Sequence, residues 1–215
     1  MVDIFDEVNE ELRAERARQL LRRYGALMVA GAVLVVGAVA GWQGWRWYQA
    51  RQDQSTAGLY LSAMNLGEGE ANRPAAIAAF TALSAAAPDG YRTLARLREA
   101  ALKADSGDLP GALSLWDQVA ADGAADPLLR ELASLLWAQH QIDKGDPALL
   151  EARLRPLASP DNPWRALAEE QLALLDLRQG KSEQAKSTFR RLAQDANAPN
   201  GVRGRASGLL NRLGG

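Results

Sequence analysis

Charged residues stop at Arg23 and resume at Arg46, and the 22 positions between them, Tyr24 to Trp45, carry no charge. An α-helix of that length rises about 33 Å, slightly more than a hydrocarbon core of about 30 Å. Tyr24 stands at one end, and Trp42, Trp45, Trp47 and Tyr48 cluster at the other. Amphipathic rings belong at both membrane interfaces. The pattern predicts a membrane helix over 24–48. The competing reading, a buried core helix, fits poorly with so long an uncharged run ending in a tryptophan cluster. Basic residues flank the run unevenly: Arg13, Arg16, Arg18, Arg22 and Arg23 precede it, and only Arg46 and Arg51 follow closely. That asymmetry puts residues 1–23 in the cytoplasm and 49–215 in the periplasm of a Gram-negative bacterium.

Ala38-Val39-Ala40 has the small-x-small form of a signal cleavage site, so a cleaved leader is the rival. Against it, about 23 residues precede the apolar core, which is itself longer than a signal core. Gly37 and Gly41 form a GxxxG, which lets two membrane helices approach closely, in a span already rich in Gly and Ala. Upstream, Ile4, Phe5, Val8 and Leu12 recur at helical spacing among acidic residues, predicting a short amphipathic helix running into the span.

Beyond the span the pattern becomes periodic. Gly107, Gly145 and Gly180 lie 38 and 35 residues apart. Aligned on them, twelve positions before are Ala95, Ala133 and Ala168, and seven before are Ala100, Ala138 and Ala173. Five after are Ala112, Leu150 and Ala185; nine after, Trp116, Leu154 and Phe189; twelve after, Val119, Leu157 and Leu192. A fainter copy holds Ala76, Phe80 and Leu83, with Ala71 in place of the glycine. Small residues before the turn let two helices approach. Glycine supplies a left-handed C-cap, Asp108 and Asp146 cap the next helix, and Pro110 and Pro147 fit its first turn. The fold class expected is all-α: a single N-terminal transmembrane helix, then helical hairpins at about 55–87, 90–123, 127–158 and 163–195. A closing helix follows from about Val202 to Leu213. Pro88, Pro127, Pro163 and Pro199 punctuate the joins. Hairpins of this kind bury their apolar faces only by stacking.

The spacing resembles a degenerate tetratricopeptide repeat, well over 90–195 and poorly over 55–87. The whole chain resembles something narrower. An acidic then arginine-rich start ends in Arg22-Arg23-Tyr24-Gly25, one membrane helix follows, and the repeats contain Gly90-Tyr91-Arg92-Thr93-Leu94-Ala95 through Gly107-Asp108. In this it is similar to the tetratricopeptide-like ancillary subunit family of the bacterial Sec translocon. That resemblance implies a cytoplasmic N-terminus, a periplasmic repeat domain, association with the Sec channel and links to periplasmic chaperones. A structural or regulatory subunit of another envelope assembly is the alternative.

One row on each first helix is polar: Arg92, Arg96, Glu99 and Lys103; Arg130, Ser134, Trp137 and Gln141; Arg165, Glu169, Leu172 and Asp176. The 4, 3, 4 spacing sets each row on one face. The candidate partner-binding residues are Arg92, Arg96, Arg130, Trp137, Arg165 and Glu169. The three recurrent arginines are placed to receive acidic or C-terminal groups of a partner; a solvated face is the simpler account. The neighbouring row, centred on Leu97, Leu135 and Glu170, is mostly apolar, and is either packed within the stack or exposed as an apolar groove.

Composition narrows the chemistry. The net charge is −1, which gives no global pull toward nucleic acid. The chain has no cysteine, excluding disulfides, thiolate metal sites, cysteine nucleophiles and N-terminal lipidation through Cys. His140, the only histidine, takes a register where the other repeats carry Leu102 and Leu175, which makes it a packing residue with one hydrogen bond. No phosphate-cradling loop, metal cluster or nucleophile–base pairing is present in the sequence. An enzyme, a cofactor and a small-molecule substrate are therefore not expected. Protein partners are.

Overall fold

The computed structural model describes the backbone of residues 4–214 and the side chains of residues 22–49, 51 and 53–214. The described residues form nine α-helices and two short 3-10 turns, with no strand. The chain divides into two units, residues 1–55 and 56–215.

The first unit is helical. It holds the part of α1 (Ile4–Gly67) that precedes Thr56. The amphipathic face expected at Ile4, Phe5, Val8 and Leu12 lies outside the described side chains. From Ala26 to Gln49 every side chain is exposed: Leu34 is 74 % accessible and Trp42 69 %. A core helix would bury such residues, so the buried-helix reading fails. The Arg23 guanidinium lies 5.9 Å from the Tyr24 ring and that of Arg51 4.0 Å from the Trp47 ring. The apolar run is thus bracketed by aromatic–arginine pairs. α1 is long and apolar enough to cross a membrane.

The second unit is a stack of hairpins. The end of α1 pairs with α2 (Arg73–Ala86), α3 (Asp89–Asp105) with α4 (Leu109–Ala121), α5 (Pro127–Gln141) with α6 (Pro147–Leu154), and α7 (Arg165–Arg178) with α8 (Ser182–Gln194). α9 (Asn200–Arg212) closes the stack, seating Val202 and Ala206 on Ala185, Phe189 and Leu192. All the repeated small and large positions read from the spacing are buried, with Trp116, Leu154 and Phe189 fully so. Burying a large apolar side chain contributes roughly 1.5–3 kcal/mol, which makes this skeleton the main source of stability.

Turns follow local chemistry. Gly107 and Gly180 have φ of 85° and 76°. Each completes a Schellman cap, with Asp108 N–H donating to the Lys103 carbonyl at 2.9 Å and Lys181 N–H to the Asp176 carbonyl at 2.8 Å. Gly145 departs from the expected left-handed conformation: it has no positive φ. Its N–H donates to the Gln141 carbonyl at 2.6 Å, and a Cβ there would stand 2.9 Å from that oxygen. Close approach, not handedness, requires this glycine. Asp108 and Asp146 cap α4 and α6 as expected, and Asp126 caps α5 in the same way.

Of the neighbouring row, Leu97, Leu135 and Glu170 are buried in the stack. Leu94 and Gln139 of that row stay exposed.

Candidate functional site

The third hairpin breaks the regularity of the stack. α4 and α8 each have 13 residues, whereas α6 has 8. Pro156 explains the difference. It has no N–H for the helix ladder, and its ring would meet the carbonyl four residues earlier. The chain leaves α6 through a 3-10 turn, Pro156–Ala158. Leu157, expected on the second helix, keeps its buried place from this turn instead.

Where α6 falls short, a cleft of about 360 Å³ opens beside α7 and α8. Leu172 and Leu175 of α7 line it, with Glu151, Arg155 and Ala158 from the third hairpin and Gln184, Thr188 and Arg191 from α8. Asp176, Gln179, Lys181 and Glu169 complete the lining. The six charged groups balance. Glu151 pairs with Arg155, Asp176 with Lys181 at 3.7 Å and Glu169 with Arg191 at 2.8 Å. Gln179, Gln184 and Thr188 have no side-chain hydrogen bond among the described residues. The lining is mostly charged and polar, with Leu172, Leu175 and Ala158 as its apolar part, and the unengaged carboxamide and hydroxyl groups are able to hydrogen-bond a polypeptide backbone.

Three of the four residues in the third polar row, Glu169, Leu172 and Asp176, therefore line one cleft. The other predicted residues sit elsewhere and are engaged within the domain. Arg96 reaches Asp122 at 3.1 Å, and Arg165 reaches Asp195 at 2.5 Å and Glu169 at 3.3 Å. Both aspartates are C-caps of second helices and also accept a backbone N–H, from Ala124 and Asn197 respectively. Arg92 pairs with Asp89 at 2.9 Å. Trp137 is buried, donates its indole N–H to Asp117 at 3.1 Å, and lies under the Arg153 guanidinium at 3.8 Å. Arg153 pairs with the same Asp117 at 2.5 Å, tying α4, α5 and α6 together.

Arg130 differs. The third hairpin carries Pro160 where the second and fourth carry Asp122 and Asp195. Arg130 accordingly has no carboxylate partner among the described residues, and its Nε is buried without an acceptor. Gly37 and Gly41 are open: a Cβ added at either would meet nothing within 4 Å among the described residues. His140 is exposed, makes one ring hydrogen bond to the Leu136 carbonyl at 2.9 Å, and packs 4.5 Å from the Trp116 ring.

Residues 18–135, more than half of the chain, match the tetratricopeptide repeat-like domain family. The chain belongs to that family. The tetratricopeptide repeat-like match reaches back through the apolar segment and the first hairpin, which spacing alone represented poorly. No curated protein and no solved structure matches the chain. A tetratricopeptide repeat-like domain is a scaffold for protein–protein interaction.

The Arg165–Asp195 pair should make this tetratricopeptide repeat-like fold sensitive to acid. The Arg165 guanidinium, followed by the Asn197 N–H, holds the Asp195 carboxyl below its ordinary range. A carboxyl lowered in the folded state stabilises that state above its unfolded pKa of about 4 and loses the contribution as pH falls through the folded value. Asp195→Asn should therefore lower the Tm at pH 7. The gap to wild type should stay constant down to about pH 5 and close below about pH 4. Melting curves from pH 7 to 2.5 check this, and a constant gap throughout would exclude the mechanism.

Proposed function

We propose that this is a single-pass inner-membrane scaffold. Residues 1–23 lie in the cytoplasm, 24–48 cross the membrane and 49–215 form a periplasmic docking domain. It works at the Sec channel, receiving periplasmic chaperones or emerging client chains. One observation carries the reading: the exposed, uncharged run on α1 from Ala26 to Trp45 has no cover in its own unit among the described residues. Each large apolar side chain left in water forgoes roughly 1.5–3 kcal/mol, so lipid is the fitting solvent. The arginine asymmetry around the span supports the orientation. The sequence resemblance to the Sec ancillary subunits supports the location.

Within the domain, the cleft beside α6 receives an extended polypeptide segment, with Glu169 at its edge. Arg130 receives a carboxylate, because its register lacks the aspartate that Arg165 engages. Arg92, Arg96 and Trp137 shape the surface through their own pairings, and Gly37 and Gly41 allow a partner membrane helix to approach.

A photo-crosslinking side chain at Trp47 is expected to capture a Sec channel component in intact cells, and one at Gln184 a soluble periplasmic protein or a nascent chain. Capture from Trp47 of a different envelope complex, with no Sec component, would replace the Sec assignment by that complex. A C-terminal reporter active only in the cytosol would overturn the topology.

A further inference from the structure

The cleft beside α6 has a filled counterpart one repeat earlier. Eight residues before the turn glycines stand Glu99, Trp137 and Leu172. Each meets the second helix, or the turn after it, of the preceding hairpin: Glu99 accepts from Thr81, Trp137 donates to Asp117, and Leu172 shares the cleft with Arg155. Asp117 and Arg155 themselves share a register, ten residues after a glycine. Between the second and third hairpins the Trp137 ring fills this place, buried, with the Arg153 guanidinium 3.8 Å from its centre. Between the third and fourth hairpins the shorter Leu172 stands at that register, and Thr188 replaces Arg153. The cleft of about 360 Å³ lies there.

We infer that the cleft takes an aromatic side chain of a bound polypeptide, in the place that Trp137 fills one junction earlier. The inference rests on the cleft receiving a polypeptide segment, as proposed above, and adds which side chain anchors it. Leu172 and the buried Leu175 offer the apolar contact, and both pack on the main core cluster. The charged groups of the lining balance, so neither an acidic nor a basic side chain is favoured there. A neutral ring gains more than an aliphatic chain. The Arg155 side chain is 74 % exposed even while paired with Glu151, which leaves its guanidinium able to lie against a ring face as Arg153 does. Glu151, beside it, is an acceptor for an indole N–H or a phenol O–H, the service that Asp117 gives Trp137.

The chain has no cysteine, so Ser187→Cys, at an exposed position beside Thr188 but outside the lining, carries a single trifluoromethyl label. Its fluorine signal in the full chain, in lipid nanodiscs, is followed against three acetylated and amidated pentapeptides. Each is glycine except at the centre, which is phenylalanine, leucine or cyclohexylalanine. The phenylalanine peptide is expected to bind about threefold tighter than either of the others, the margin of an exposed cation–ring contact. Leu172→Trp should fill the cleft from within and abolish binding of all three without lowering the melting temperature. Arg155→Gln, at an exposed position, should bring the phenylalanine peptide down to the cyclohexylalanine level with the melting temperature unchanged. Equal affinity for the three peptides, with binding still lost in Leu172→Trp, would overturn the inference and leave the cleft a polypeptide site. No binding of any peptide, or binding unmoved by Leu172→Trp, would sink both.

Discussion

Trp116→Ala is expected to cost about 3–5 kcal/mol, much of the 5–15 kcal/mol available to a typical domain. Trp116 is fully buried in the largest core cluster, among Ala112, Leu150 and Leu154. Neighbouring helices pinned by the caps at Asp108 and Asp146 cannot collapse far into the space it leaves. Trp116→Phe separates volume from polarity. The indole N–H of Trp116 is buried without a partner among the described residues, and the fourth hairpin carries Phe189 at the same register. Phenylalanine should therefore lose clearly less than alanine, since it also removes an unsatisfied donor. Urea unfolding of the full chain in detergent, followed by circular dichroism, measures both. Equal losses for the two variants would show that the site is not packed as described.

The second large effect lies at α9. Arg205 donates from Nε and Nη2 to the two Glu170 oxygens, each at 2.6 Å. Glu170 is 2 % exposed, whereas the Arg205 side chain is 56 % exposed. This environment raises the Arg205 pKa, chiefly through its hydrogen bonds to Glu170. Arg205→Ala strands a buried carboxylate and should cost about 3 kcal/mol, the lower end for a broken buried pair, because water reaches the arginine side. Glu170→Leu should be close to neutral. The second and third hairpins hold Leu97 and Leu135 at that register, and exchanging a buried ion pair for packed hydrophobes is often neutral or stabilising. The double variant should recover most of the arginine loss. Unfolding free energies of the four chains test the cycle. An Arg205→Ala loss below about 0.5 kcal/mol would mean that α9 is held by its apolar face alone.

The skeleton of the domain was legible in the sequence because it is a local code. An alanine before the turn, a glycine at it and large residues nine and twelve after it fix the inner faces of two helices whatever surrounds them. The departures come from interactions that spacing cannot report. Alignment of Leu157 with Val119 and Leu192 concealed the early end of α6, although Pro156 was the available signal. Gly145 aligned with two left-handed glycines yet is needed for a close contact instead. Of the cleft, Glu169, Leu172 and Asp176 could be grouped by helical spacing. Glu151, Arg155, Gln184 and Thr188 could not, because their meeting depends on turns that α6 lacks. The pairing of Arg96 and Arg165 with aspartates 26 and 30 residues away was equally invisible. Both are charges on a face that reads as free until the next helix end is placed.

The buried apolar residues of the second unit fall into three separate clusters, one per stretch of the stack. Such an interior behaves like a row of linked blocks rather than a single droplet, each block answering to its immediate neighbours. An event that loosens the block around Phe80 need not disturb the one around Phe189. The two extremities need not move together, so a partner proposed at one of them can leave the other undisturbed.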